Sequence, residues 1–258
     1  MTDRVVLSWS GGKDAALALR ELHRDETVEV VSLLTTVDET TGRSTMHGVR
    51  RALYERQAAA LGLPIELVEL PHRPTNATYD AIMARVIERL ARRGVSAFAF
   101  GDLHLEDVRR YRERQLAESP VDGRWPLWGR DSRSVMTDLL KSGFRAVVVA
   151  VDGRFLDPSY LGRPIEAPLL GGLPVGVDPA GEGGEFHTFV TDGPIFDRPI
   201  PVGPGRTVSR EVGPTTMHYV ELRSPGCPLW RGQSRRVASP RARPRAGRSA
   251  GHPRTSRR

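Results

Sequence analysis

Val5-Val6-Leu7-Ser8-Trp9-Ser10-Gly11-Gly12-Lys13-Asp14-Ala15-Ala16-Leu17-Ala18-Leu19 is the stretch that decides how the chain folds. An apolar β-branched run, two adjacent glycines and an alanine- and leucine-rich segment follow one another, which reads as strand, sharp turn and helix, the helix running from Ala15 to His23. Adjacent glycines let the backbone approach an anion without Cβ obstruction, and the first free N–H groups of the helix point at the same spot, aided by the helix dipole. Lys13 adds a positive charge and Ser10 a hydroxyl. A bare Ser-Gly-Gly turn is an ordinary strand-to-helix connection; the strand before it and Lys13-Asp14 after it favour a phosphate grip. The G-x4-G-K-[ST] spacing is absent, and no G-x-G-x-x-G follows a strand.

Outward from this loop the first half alternates buried strands with amphipathic helices, the pattern of a parallel α/β sheet. Expected elements are a strand at Val28 to Leu34, a helix at Val49 to Leu61, a strand at Ile65 to Leu70, a helix carrying Tyr79, Ile82, Val86 and Leu90 on one face, and a strand at Ala97 to Phe100. Beyond Trp125 a further helix capped by Ser132 leads to a strand at Ala146 to Val151. Glycine and proline then become frequent, and Thr207 to Val212 with Met217 to Leu222 read as a terminal hairpin. The expected organisation is an α/β domain over residues 1–122, a smaller α+β substrate domain over 123–228, and a disordered Arg/Pro-rich tail over 229–258.

The net charge of +7 suggests a nucleic-acid partner until it is divided along the chain. Ten of the 38 basic residues and none of the 31 acids lie between Arg231 and Arg258, so the remainder carries a formal charge of about −3. A nucleic-acid partner is therefore not expected of the body and would depend on the tail. No stretch approaches the roughly 20 apolar residues of a membrane span, and the start of the chain does not read as a signal sequence, so a cytoplasmic protein with no membrane partner is expected. The lone Cys227 excludes a disulfide framework and a zinc site built on cysteine pairs.

Ser10-Gly11-Gly12-Lys13-Asp14 resembles the S-G-G-x-D-S signature of the PP-loop ATP pyrophosphatases, which cleave ATP between its α and β phosphates. Gly101-Asp102, Leu105-Glu106-Asp107-Val108-Arg109, Pro126-Leu127-Trp128-Gly129-Arg130, Gly181 to Val190 and Asp192-Gly193-Pro194 then occur in the order seen in the diphthine ammonia ligase family. That resemblance covers about Arg4 to Leu222. It implies a PP-loop parallel sheet flanked by helices, with ATP and Mg2+ as cofactors. A substrate carboxylate, on a small molecule or a modified protein side chain, is adenylated; pyrophosphate leaves; and ammonia forms the amide. It fixes the reaction class rather than diphthine as the acyl substrate. Sulfur-transferring and glutamine-hydrolysing relatives need a reactive cysteine, and Cys227 is the one available, so free ammonia or another small amine is the expected nucleophile. Ala15 departs from the signature by replacing its serine; one neutral hydrogen bond contributes roughly 0.5–1.5 kcal/mol, enough to weaken ATP binding several-fold.

Strand ends in such a sheet converge on one crevice. This places Thr35, Gly101 and Asp102 beside the nucleotide, with Ser10, Gly11, Gly12, Lys13 and Asp14 on its phosphates and Asp14 as metal ligand. Lys13 and Asp14 are also catalytic candidates. His47, Arg50, Glu106 and Arg109 are candidates for substrate contact, although His47 reads equally well as a capping residue. Glu182, Glu185 and His187, in and after a glycine-rich loop, are candidates to deprotonate ammonium or orient the acceptor. Arg110 and Arg114 need only complement the helix dipole. Two other readings stand beside the ligase: an RNA-modifying PP-loop enzyme using the arginine tail, and a nucleotide sensor without catalysis. A homodimer is compatible with the sequence and not decided by it.

Overall fold

The structure, a computed structural model, describes residues 2–224; Cys227 and the arginine-rich tail lie outside the described residues. Val5 and Leu7 of β1 (Asp3–Ser8) enter one apolar cluster and Val6 another, and all three are fully buried. A strand covered on both faces is the centre of a parallel sheet. β2 (Val28–Asp38), β3 (Ile65–Leu70), β4 (Ala97–Ala99) and β5 (Asp122–Arg124) complete it in the order β3-β2-β1-β4-β5, every pair parallel. The order reverses between β1 and β4, the position at which open α/β sheets bind ligands.

Helices α1 (Lys13–Arg24) and α2 (Arg51–Leu61) supply one cluster; α3 (Asn76–Ala91) and α4 (Glu106–Leu116) supply the other. The Thr75 hydroxyl caps α3 by accepting from the Thr78 N–H at 3.1 Å. α5 (Ser132–Lys141) is capped by Asp131, one residue before the expected Ser132, because the Asp131 carboxylate reaches the Ser134 N–H at 2.8 Å.

A second, antiparallel sheet holds β6 (Arg145–Asp152), β7 (Phe186–Asp192), β8 (Gly203–Val212) and β9 (Thr215–Arg223) in the order β7-β6-β9-β8, with a short helix α6 (Ala167–Gly171) in the β6–β7 connection. The division expected at residue 122 falls inside β5, whose Asp122 to Arg124 register with Ala97 to Ala99. Asp122-Gly123 reads as a turn because it is polar, yet an edge strand tolerates polar residues, and the Trp125 ring covers Gly123. Nor do the two sheets have separate cores. Leu17 and Leu19 of α1, Val135 and Leu139 of α5, and Val148, Phe186 and Phe189 of the second sheet form one continuous apolar cluster. Among the described residues no helix is long and apolar enough to cross a membrane.

Candidate active site

The turn after β1 is held from behind. Trp9 is buried and takes the Leu34 carbonyl at 2.7 Å, which prolongs the strand before the turn begins. Gly11 sits at φ +72°, and a Cβ there would lie 2.7 Å from Gln57 Oε1 and 2.8 Å from the Tyr54 ring, so both its conformation and its surroundings demand glycine. Ser10 Oγ accepts from the Gly12 N–H at 3.2 Å, and the Lys13 N–H donates to Thr188 Oγ1 at 3.1 Å. The N–H groups of Asp14 and Ala15 have no protein partner among the described residues, and both residues line a cleft. They are the free donors that an anion at a helix start requires.

The clamp behind the loop comes from two distant segments. Gln57 of α2 is fully buried; its Oε1 accepts from Trp9 Nε1 at 2.9 Å, and its Nε2 donates to the Gly11 carbonyl at 3.0 Å and the Val190 carbonyl at 2.8 Å. The Val190 N–H of β7 also donates to the Gly11 carbonyl, at 2.8 Å. One amide side chain thus ties the end of β1, the loop and the edge strand of the second sheet together.

In front of the loop lie two joined compartments. The wider, about 520 Å³, is lined by Ser10, Asp14, Asp102, Glu182, His187 and Arg112 among others. The narrower, about 220 Å³, has apolar walls from Phe98, Phe100, Met83 and Ile87, with Thr35 and Thr36 at the end of β2. Gly101 permits close approach across the switch point, since a Cβ there would lie 2.9 Å from the Asp14 carbonyl carbon.

A diphthamide synthase N-terminal domain model matches residues 3–121 and a diphthamide synthase C-terminal domain model matches residues 131–214. The chain belongs to the diphthine ammonia ligase family. It is 34% identical to the diphthine–ammonia ligase of Bos taurus over 88 residues, 32% of this chain and 33% of that protein. With the Danio rerio diphthine–ammonia ligase it shares 30% identity over 133 residues, 49% of this chain and 51% of the other. These matches therefore span only a third to about half of the length of the curated relatives. A solved U34-tRNA thiolase from Methanococcus maripaludis superposes with a TM-score of 0.38 and 15% identity, covering 54% of this chain and 57% of that one.

In this diphthine ammonia ligase family member the loop preceding β7 closes the wide compartment. Glu182 Oε1 accepts from the Leu103 N–H at 2.7 Å and the His104 N–H at 3.4 Å, stapling the loop to the segment after β4. Burial, reinforced by the charge of Asp14, raises its pKa above the ordinary carboxylate range. His187 and His47 face each other with ring centroids 4.6 Å apart. Burial, with the charge of Lys13 adding to it, pushes His187 down to about 4; burial, His187 and Lys13 hold His47 well below its ordinary value. Both imidazoles are neutral at pH 7.

This pair sets a pH dependence whose sign is determined. An unfolded histidine titrates near 6.5, so between about 6.5 and 4 the unfolded chain binds protons that the folded chain does not. Stability is full above that window and falls as pH drops through it, by at most about 1.4 kcal/mol per pH unit per group. Urea melts from pH 7.5 to 4.5 should show this acid loss in the wild type and a shallower one in His187→Gln; parallel profiles would contradict the assignment.

The wide compartment brings together Ser10, Asp14, His47, Gly101, Asp102, Glu182 and His187, which are far apart in sequence. Lys13 lies beneath it, 3% exposed, with Nζ 2.8 Å from Asp14 Oδ2. Thr35 lines the narrow compartment but gives its hydroxyl to the Trp9 carbonyl at 2.6 Å. Four candidates are placed elsewhere. Arg50 turns to Glu221, 3.5 Å away. Glu106 is exposed and pairs with Arg110 at 3.0 Å. Arg109 pairs with Glu113 and lies 4.6 Å from both the Trp125 and Trp128 rings. The reason is helical phase: Val108 and Arg112, four apart, face the cleft, and Glu106 and Arg109 do not. Glu185 is buried outside the lining, its Oε1 accepting from the Asp178 N–H at 3.2 Å. Gln57, Thr188 and Arg112 were not singled out from sequence. Arg112 alone had a usable signal, its spacing from Val108.

Proposed function

We propose that the protein is an ATP-dependent ligase that adenylates a carboxylate, releases pyrophosphate and forms an amide with ammonia. The observation that carries this reading is the loop Ser10 to Asp14 at the sheet switch point, with two joined compartments in front of it, a narrow one walled in part by Phe98 and Phe100 and a wide one lined by Asp14, Asp102, Glu182 and His187. Adenosine fits the narrow compartment, where Phe98 and Phe100 offer apolar walls. The β and γ phosphates take the Asp14 and Ala15 N–H groups and Lys13, and the acyl acceptor enters through the wide compartment.

Among the described residues no three His, Cys, Asp or Glu side chains form a metal cage. A nucleotide-borne magnesium ion needs only one or two carboxylates, the phosphates and waters completing its shell. Asp14, on the cleft wall, fits that demand. When bound, the ion supplies further positive charge to the phosphates.

The chain's own groups then divide the work. Lys13 and the helix N–H groups stabilise the departing pyrophosphate. Glu182 Oε2, which has no hydrogen-bond partner among the described residues, belongs to a carboxylate made more basic by burial and takes the proton from ammonium. His187, neutral and a weak base, accepts a hydrogen bond from ammonia and orients it toward the acyl adenylate.

The test is a pyrophosphate-release screen across carboxylates with ammonium, scoring AMP and 15N-labelled amide together. Stoichiometric AMP, pyrophosphate and amide are expected for one class of acid. ADP and phosphate as products, or tight ATP binding with no turnover of any acid, would sink the reading; the second outcome would favour the sensor. As a smaller expectation, Ala15→Ser restores the missing hydroxyl in the cleft and should tighten ATP binding several-fold by calorimetry. Unchanged or weaker binding would show that the serine is not a phosphate ligand in this loop.

A further inference from the structure

The two compartments share only Ser8, Ser10, Met46, His47 and Arg112 in their linings. Of these, Arg112 is the one permanent cation. Its guanidinium is held in two ways. It forms an ion pair with Asp102, Nε 2.9 Å from Oδ2 without hydrogen-bond geometry and Nη2 donating to Oδ1 at 3.4 Å, and its central carbon sits over the Phe100 ring, 4.3 Å from the centroid. Nη1 has no protein partner among the described residues, and the side chain is 24% exposed. A guanidinium held at one edge and stacked on one face presents its other edge with little freedom to lose, which is what a preorganised donor requires.

We infer that Arg112 binds the α-phosphate of the nucleotide and stabilises the charge that grows there when the carboxylate attacks. This rests on the ligase reading. A nucleotide with its base in the narrow compartment and its β and γ phosphates on the Ser10 to Asp14 loop must pass its α-phosphate through the junction. The substrate carboxylate oxygen forms a bond to Pα. The Pα–O bond to the β phosphate breaks, and its electron pair leaves with pyrophosphate. Ammonia then displaces AMP from the acyl adenylate and loses a proton. In both the attack and the acyl adenylate the non-bridging oxygens of Pα lie within the Nη1 edge's field. The interaction is charge-assisted and specific to one phosphate, so its removal must discriminate AMP from adenosine.

The experiment is calorimetric titration of the full chain and of Arg112→Ala and Arg112→Lys with adenosine and with AMP, alongside steady-state pyrophosphate release. The wild type is expected to bind AMP more tightly than adenosine. Arg112→Ala should reduce that preference at least 10-fold while leaving adenosine affinity within 3-fold. The kcat for pyrophosphate release should fall about 100-fold, a larger change than the rise in KM for ATP, because the contact strengthens as charge grows on Pα. Arg112→Lys keeps charge without the fork and should recover the AMP preference only in part. A preserved AMP preference in Arg112→Ala would overturn the inference and leave the ligase reading intact. Equal loss of adenosine and AMP would also overturn it, by showing that Arg112 only props α4. A wild type that binds no adenine nucleotide would overturn both.

Discussion

Replacing Lys13 with alanine should lower pyrophosphate release by about 10²–10³-fold in kcat while leaving the fold intact. Lys13 opens α1, is 3% exposed, and holds its ammonium between the Asp14 carboxylate, 2.8 Å away, and the Phe186 ring, whose centroid is 5.7 Å away. Its removal takes the positive charge from beneath the loop at the point where the departing pyrophosphate gathers negative charge. Asp14 is then left facing that phosphate without its counter-ion, so ground-state binding weakens as well and KM for ATP should rise. Lys13→Arg is not expected to rescue activity, because the planar guanidinium cannot occupy the compact space between Asp14 and Phe186. Steady-state kinetics with a melting curve decide the matter. Release within 3-fold of wild type at an unchanged Tm would remove the loop from the chemistry, and with it the proposed mechanism.

Gln57→Leu should be the most destabilising single change near the site. It strands the Trp9 Nε1 donor and the Val190 carbonyl in a dry interior, and the Gly11 carbonyl keeps only its bond from the Val190 N–H. Buried unpaired groups cost about 1–3 kcal/mol each, so a loss on the order of 2–6 kcal/mol is expected from the two stranded groups, lowering Tm by roughly 5–20 °C. ATP binding should weaken alongside, because the loop is then tied to β7 only through the Val190 N–H and the Lys13 N–H. Gln57→Glu separates hydrogen bonding from packing. A carboxylate at that position points an acceptor at two carbonyls, so only its protonated form fits and its folded-state pKa is raised. Its stability is then greatest below the ordinary carboxylate range and is lost as pH rises toward that folded pKa, opposite in sign to the acid loss set by the histidines. A pH-independent Gln57→Glu variant with wild-type stability would show that the clamp contributes nothing.

How much of this was legible before the structure differs between elements. β1, the turn and α1 follow from neighbouring residues, because β-branched runs, adjacent glycines and 3.6-residue periodicity act within one or two turns. The hairpin of β8 and β9 is equally local. Arg109 illustrates a loss of phase: it lies in a family segment and carries the right charge, yet the helix turns it onto Trp125 and Trp128 and gives the cleft to Arg112. Glu185 illustrates a loss of direction, since a glycine-rich loop has no period to tell which of Glu182 and Glu185 points inward.

Local sequence was enough for a parallel α/β half with a glycine turn at Ser10 to Asp14 between its first strand and helix, and for the order of motifs that marks the family. The tertiary structure alone decided that Thr188 and Val190 of the second sheet close on that loop, that Gln57 joins them to it, and that both sheets share one core. The physical reason is range. Turn and helix formation are read from adjacent residues, whereas the Lys13–Thr188 bond spans 175 positions and exists only once two sheets have packed, which no local pattern encodes.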